Sequence, residues 1–368
     1  MHKITFTVTN DLTYDQRMHR ICNSLVKAGY EVLLIGRKLP TSIPLQNEAY
    51  QQQRISCFFK KGAFMYLEFN IRLLLLLLSK SASCNCAIDL DTILPNLVAS
   101  KIKKQARIYD AHELFTEQKE IVTRPFVQKI WLTIERLAVP KFRWGYTVND
   151  FIAEEFKCRY GVDYSVVRNL PWFTSLPATN STEKPFILYQ GAVNEGRSFE
   201  TLIPAMKDVD AKLVVCGSGN FFRQTLQLIE ELEVTEKVEL QGMVPPEELR
   251  QITPNAYIAV MLFEGTGLNQ YHSLANRFFD YIMAGVPQVC INYPQYRAIN
   301  DVYQVVHLID DTTPETIATA LNNLLHNTVY HHTLRQNCLK ARELLNWENE
   351  EKVLINFYKT FTDNNLVK

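Results

Sequence analysis

The sequence predicts an α/β chain made of two Rossmann-like, doubly wound domains, and three observations carry that prediction. Short apolar runs alternate with longer segments of helical period, as parallel sheets covered by helices require. The alternation breaks once, at "PWFTSLPATNSTEKP" (171–185), where three prolines sit among Ser, Thr and Asn with little periodicity, and then it restarts. The 368 residues exceed what one typical core fills, while 47% hydrophobic and 21% charged residues are ordinary for a folded globular chain. The expected layout is a first domain over 1–171, a linker over 172–185, a second domain over 186–345 and a final helical segment over 346–368.

In the first domain "KITFTVT", "EVLLIG", "RISCFF", "CAIDLD", "RIYDA" and "GYTVN" read as strands, separated by periodic segments such as "YDQRMHRICNSLVKAGY". In the second, "FILYQG", "KLVVCGSG", "KVELQG", "AYIAVMLF", "PQVCIN" and "QVVHLID" repeat the pattern. "NRFFDYIMAGVPQV" places Phe278, Phe279, Ile282 and Met283 on one helical face, with Gly285 as a left-handed cap and Pro287 barring continuation. The closing "LLNWENEEKVLINFYKTF" is amphipathic and helical.

Lys+Arg and Asp+Glu both number 39, so no global basic field calls for nucleic acid. Eight cysteines include no CxxC pair; Cys84 and Cys86 fall on one face of a strand, as small core residues. The N-terminus reads as a first strand without a signal core, and the cysteine usage fits a reducing cytoplasm. "NIRLLLLLLSK" is far shorter than the roughly 20 apolar residues that span a bilayer. Burial of its leucines in the first domain is the expectation. The longer stretch "FFKKGAFMYLEFNIRLLLLLL" also mixes basic and apolar residues in a way compatible with peripheral membrane contact.

Three strand ends carry chemistry. In open α/β sheets ligands bind beyond the carboxyl ends of the strands. "IYDAHELFTE" puts His112 and Glu113 just past one such end, where an imidazole can donate a hydrogen bond or move a proton; a capping histidine is the plain alternative. "LYQGAVNEGRSFETL" runs strand, Gly191, polar loop with Gly196 and Arg197, then helix, so backbone amides and a guanidinium can meet an anion. It is neither a Walker A sequence nor a full GxGxxG. The third is "FEGTGLNQYHSLA" followed by Asn276, Arg277 and Asp280, three polar groups on neighbouring helical turns. A carboxylate there can accept hydrogen bonds from vicinal sugar hydroxyls; a solvated helix face is the alternative.

Taken together and in order, "DQRMHRICNSLVKAGYEVLLIG", "YDAHELFTE", "VNDFIAEEFKCRYG" with "VVRNLP", "LYQGAVNEGRSFETL" and "NRFFDYIMAGVPQV" resemble a retaining glycosyltransferase of family 4, with the two-domain GT-B fold. The resemblance runs over nearly the whole chain, and the "QGAVNEGR" and "NRFFDYIMAG" versions resemble a subgroup from bacterial surface-polysaccharide clusters. It implies that Asp280, in the acidic position of the Glu-Ala-Met-Ala-x-Gly-x-Pro-Val segment, holds the donor ribose. It further implies that His112 lies beside the donor sugar and that Arg197 neutralises the leaving diphosphate, with amides around Ser273, Leu274 and Ala275. Gly242, Met243 and Val244 match the loop at the nucleobase. The last helix, with Trp347, returns to the first domain. No bound metal or other cofactor is implied, because basic side chains and helix N-termini take the diphosphate charge. "DLD" at 89–91 is an Asp-x-Asp pair at a strand end, and its place on the acceptor side argues against a metal role.

The chain departs from the family pattern at two places. His272 stands where the second acidic residue is usual, with Glu264 eight residues too early, and Ala192 replaces the first basic residue of the phosphate loop, leaving Arg197 with Arg277 as a substitute. The expected function is sugar transfer from a nucleoside diphosphate sugar to a hydroxyl acceptor, a glycan or lipid-linked glycan, in the cytoplasm or at the inner membrane face. Asp15, Arg17, Arg20 and Glu113 are the acceptor-side candidates, against a solvated helix start. A GT-B nucleotide-sugar epimerase and a non-catalytic nucleotide-sugar or partner-binding member are the alternatives.

Overall fold

The computed structural model describes residues 2–13, 15–176, 185–265 and 267–366. The chain divides into two units, Met1–Asn169 with Asn349–Lys368, and Leu170–Glu348. Of the expected linker, residues 177–184 lie outside the described residues.

The first unit opens with β1 (Lys3–Thr7), α1 (Gln16–Lys27), β2 (Glu31–Lys38), β3 (Gln51–Ser56), α2 (Ala63–Ser79) and β4 (Cys84–Ile88). It continues with α3 (Ile93–Ile102), β5 (Ala106–Ala111), a short α4 (Lys119–Val122), α5 (Pro125–Ala138), β6 (Trp144–Thr147), α6 (Asp150–Tyr160) and β7 (Ser165–Val166). Strand order is β3-β2-β1-β4-β5-β6-β7, and every pairing is parallel. Such a sheet is covered on both faces, so all five residues of β4 are buried, Cys84 and Cys86 included. Strand order reverses between β1 and β4, the switch point where open sheets leave a crevice. The helix α1 starts there because Asp15 accepts a hydrogen bond from the Met18 amide at 3.0 Å, and it buries Met18, Ile21, Cys22 and Leu25 against the sheet.

The leucine-rich segment corrects its expectation. In α2 only Met65, Phe69, Leu73 and Leu77 are buried, packing with Leu33, Ile35 and Ile55. Phe64, Leu67, Ile71 and Leu75 are exposed. A helix lying on a sheet buries one stripe at spacing four, and a run of leucines on all sides leaves the opposite stripe bare.

The second unit follows with β8 (Phe186–Gln190), α7 (Phe199–Ala205), β9 (Lys212–Cys216), α8 (Phe222–Glu231), β10 (Val238–Gly242), α9 (Pro246–Ile252) and β11 (Ile258–Met261). Then come α10 (Leu268–Tyr271), α11 (Asn276–Ala284), β12 (Gln288–Ile291), α12 (Pro294–Tyr303), β13 (Val306–Ile309), α13 (Pro314–His326) and α14 (Thr328–Ala341). The sheet, ordered β10-β9-β8-β11-β12-β13, is again parallel throughout and reverses between β8 and β11. Helix α11 ends as its sequence predicts, with Gly285 at φ 69° and Phe278, Phe279 and Ile282 in the core.

The last helix, α15 (Trp347–Asn365), lies almost wholly in the first unit. There the Tyr358 ring meets Tyr146 at 6.1 Å, and Glu350 accepts a hydrogen bond from the Arg168 amide at 2.7 Å. Trp347 itself is the exception to the expected return, since its amide donates to Pro171 and its ring lies 6.3 Å from Trp172, both in the second unit. Among the described residues no helix is long and apolar enough to cross a membrane.

Candidate active site

In the first unit, the ends of β1, β4 and β5 gather a charged cluster. Asp110, fully buried in β5, is held by Arg17 of α1, whose Nη2 lies 3.1 Å from its Oδ1. His112, two residues on and so on the same side of the strand, places Nε2 3.1 Å from Asp110 Oδ2 and Nδ1 3.6 Å from Asp89 Oδ2. Arg17 Nε also lies 3.0 Å from His112 Nε2, which cannot accept from the arginine and donate to the carboxylate at once. We assign the proton to Nε2, because the buried Asp110 Oδ2 otherwise has no donor. Burial pushes the imidazole pKa down, but Asp110 and Asp89 more than offset this and raise it to about 9. Burial raises Asp110 too, yet Arg17 and then His112 leave its carboxyl below the ordinary value. Both thus stay charged, as an ion pair and not as a neutral acid and base.

Beside this cluster lies a cavity of about 450 Å³ lined by Asp15, Asp89, Asp91, His112, Glu113 and Trp131, among others. Burial raises Asp89 to about 7 and Asp91 to about 6. Asp91 is fixed by the Thr9 hydroxyl at 2.5 Å, and Asp89 by the His112 amide at 2.9 Å. Of the acceptor-side candidates, Asp15 and Glu113 line the cavity. Arg17 and Arg20 do not. Arg17 is not a solvated helix-start residue: it is 4% exposed and bound to Asp110 and the Val167 carbonyl. Arg20 reaches Asn169 at 2.5 Å instead. Sequence reasoning missed Asp110, Asp89 and Asp91, although all three sit at strand ends; reading "DLD" only for metal spacing obscured the last two. Among the described residues no group of His, Cys, Asp and Glu is placed to hold a metal ion.

In the second unit the switch point carries the loop after β8. Gly191 adopts φ 121°, and a Cβ there would lie 3.1 Å from Arg277 Nη1. Its carbonyl presses on Gly217, where a Cβ would come within 1.7 Å, so the loops after β8 and β9 pack backbone to backbone. Gly196 (φ 82°) receives hydrogen bonds on its carbonyl from the Glu264 amide at 3.1 Å and Gln270 Nε2 at 2.7 Å. These tie the loop to the segment after β11.

Arg277, from the first turn of α11, does not share a polar face with Asn276 and Asp280. It turns inward, is 8% exposed, and lies over the rings of Tyr189 (4.6 Å) and Phe263 (4.9 Å). Nη1 donates to the Tyr189 hydroxyl at 3.1 Å and Nε to Met261 Sδ at 3.2 Å; Nη2 is buried with no partner. Arg197 lies over the same Phe263 ring at 4.3 Å. Two guanidiniums are thus brought to one aromatic ring beside a glycine loop. Asp280 remains partly exposed and accepts from Gln190 Nε2 at 3.3 Å, while Gln190 Oε1 is oriented by the Thr253 hydroxyl at 2.7 Å.

The loop before α11 corrects one expectation. The Ser273 amide donates to the Gln270 carbonyl at 3.2 Å and the Ala275 amide to the Tyr296 hydroxyl at 3.2 Å, so neither stands open toward a phosphate. The turn of α10 runs on through His272, whose amide meets Leu268, and it takes these donors before the next helix begins. Leu274 packs against the core. Gly242 (φ 69°), the exposed Met243 and the partly buried Val244 lie at the end of β10. Val244 packs with the cluster containing Tyr281, the neighbour of Asp280.

Two parallel-sheet, Rossmann-like α/β units make up the GT-B fold. Known proteins share it over the whole chain. Residues 175–341 match the family described as "Glycosyl transferases group 1". An uncharacterized glycosyltransferase of Methanocaldococcus jannaschii is 24% identical over 208 residues, 52% of this chain; the chain spans about half (50%) the length of that relative. Sucrose-phosphate synthase from Thermosynechococcus elongatus superposes with a TM-score of 0.78 at 16% identity, covering 99% of this chain and 100% of that one. Anabaena HepE, solved with UDP and glucose, gives 0.76 at 10% identity over 98% and 100%. WaaG, a glycosyltransferase involved in lipopolysaccharide biosynthesis, gives 0.75 at 12% over 96% and 98%.

Proposed function

We propose that this protein transfers a hexosyl group from a nucleoside diphosphate sugar to a hydroxyl on a glycan or lipid-linked glycan, with retention of anomeric configuration. One observation carries the reading: Arg277 is a buried cation with an unpartnered Nη2, set behind Gly191 and sharing the Phe263 ring with Arg197. A buried charge without a counterion is costly, and a diphosphate supplies both the missing charge and the missing acceptors. The two guanidiniums would then stabilise the diphosphate as the glycosidic bond breaks, without calling on a metal.

Asp280, steadied by Gln190, takes the ribose hydroxyls in this reading, and the end of β10 (Gly242, Met243, Val244) the base. His112, held protonated by Asp110 and Asp89, is assigned to the donor sugar as a hydrogen-bond donor. The acidic cavity of the first unit, with Asp15 and Glu113, receives the acceptor's hydroxyls. The polysaccharide setting and cytoplasmic placement follow from the resemblance of the motifs to the surface-polysaccharide subgroup.

The test is thermal shift with nucleoside diphosphates and their sugars, on the parent and on Asp280→Ala. A ligand that binds only the folded chain raises the melting temperature. Stabilisation by one base series, reduced in Asp280→Ala, is the expected result. A folded parent that no nucleotide stabilises would sink the reading, and sugar isomerisation with no acceptor present would replace it with epimerase chemistry.

A further inference from the structure

We propose that the face formed by α2, α3 and α5 of the first unit docks on a bilayer surface rich in anionic lipid. The three helices adjoin: Lys103, capping α3, donates its Nζ to the α2 carbonyl of Leu77 at 3.3 Å, and Tyr66 of α2 meets Trp131 of α5 at 5.5 Å. Each turns an apolar stripe outward. On α2 it is Phe64, Leu67, Ile71 and Leu75; on α3 Leu94, Val98 and Ile102; on α5 Phe126, Ile130 and Leu137. These side chains are between 39% and 77% exposed. Phe58 and Phe59 extend the set just before α2, at 81% and 45%. Soluble monomers rarely leave contiguous apolar surface of this extent bare.

Charge selects the occupant. The whole chain is neutral, yet between residues 58 and 143 ten Lys and Arg are exposed and Glu120 is the only exposed carboxylate. Lys60 and Lys61 follow the phenylalanine pair, Lys101 and Lys104 flank Ile102, and Lys129 and Arg136 lie beside Ile130 and Leu137. Apolar stripes rimmed by cations match acyl chains below anionic headgroups. A second copy fits poorly, because a two-fold pairing sets the same basic face against itself. Nucleic acid would take the cations but leave the apolar stripes uncovered. The proposal goes beyond the transfer reading and stands without it.

Flotation of the full chain with vesicles tests it, comparing phosphatidylcholine alone with an equal mixture of phosphatidylcholine and phosphatidylglycerol. The parent should float with the anionic vesicles only, and be released by salt. Each cation near an anionic surface contributes roughly fivefold in partition. A variant carrying Lys60→Gln, Lys61→Gln, Lys129→Gln and Arg136→Gln should therefore lose more than about 100-fold. Phe126→Ser with Ile130→Ser, both on exposed turns, should weaken binding while keeping the parent's melting temperature. A parent that floats with neither vesicle, or with both alike, overturns the proposal. So does a serine variant that still binds fully, or a parent dimer in sedimentation equilibrium that the serine variant abolishes.

Discussion

The two switch points solve the same problem, a buried arginine at the mouth of a parallel sheet, in opposite ways. In the first unit Arg17 has a carboxylate at 3.1 Å and a carbonyl at 3.1 Å, and the neighbouring imidazole is itself flanked by Asp110 and Asp89. In that cluster each charge faces an opposite one. In the second unit Arg277 has a hydroxyl, a thioether and two rings, and one nitrogen of its guanidinium has nothing. A self-compensated cluster fixes geometry whether or not a ligand is present; an incomplete one sacrifices stability that an anion restores. In the proposed reading the difference separates a positioning centre from a binding centre.

The contrast can be broken by removing one group from each cluster. Asp110→Ala should be the most damaging change, costing about 3–5 kcal/mol in urea unfolding, because it leaves the buried Arg17 without its counter-charge. Arg17→Met with Asp110→Leu should recover most of that loss. A loss under about 1 kcal/mol from Asp110→Ala would mean the cluster is not compensated as its geometry implies.

Arg277→Met should do the reverse. The Tyr189 hydroxyl keeps its bond to the Ala192 carbonyl at 2.7 Å, so stability should hold within about 1 kcal/mol. Affinity for the nucleoside diphosphate should fall by more than about tenfold, the worth of a charged hydrogen bond. Titration calorimetry showing unchanged affinity would remove Arg277 from the donor site. The smallest effect is in pH. His112 is raised to about 9 from an ordinary 6.5, so its stabilisation is complete below pH 6.5 and is lost as pH climbs through 9. The parent's melting temperature should drop across that window more steeply than that of His112→Gln; parallel slopes would count against the protonated imidazole.

Much of this molecule was legible in its residues. Among the described residues, period and turn chemistry gave twelve of the strands in order, with only the two-residue β7 passing unread, because so short a run carries no alternation. Gly191, Gly196, Gly285 and Asp280 stand where local sequence put them, since each answers to its own backbone angle or helix register. What escaped was direction. Helical spacing grouped Arg277 with Asn276 and Asp280, but only packing against Tyr189 and Phe263 turned it inward. Spacing likewise left Arg17 and Arg20 alike on α1, until Asp110 from a strand 93 residues away claimed the first. The leucine run read as core from its composition, while the sheet beneath α2 had room for one stripe alone. The sequence by itself determined the alternating elements, the break between two domains and the glycine-bearing strand ends, because these depend on neighbours along the chain. Which charges are paired, which cation is left incomplete and which apolar face stays bare were decided only by the tertiary structure, because each depends on a partner the chain brings from far away or does not bring at all.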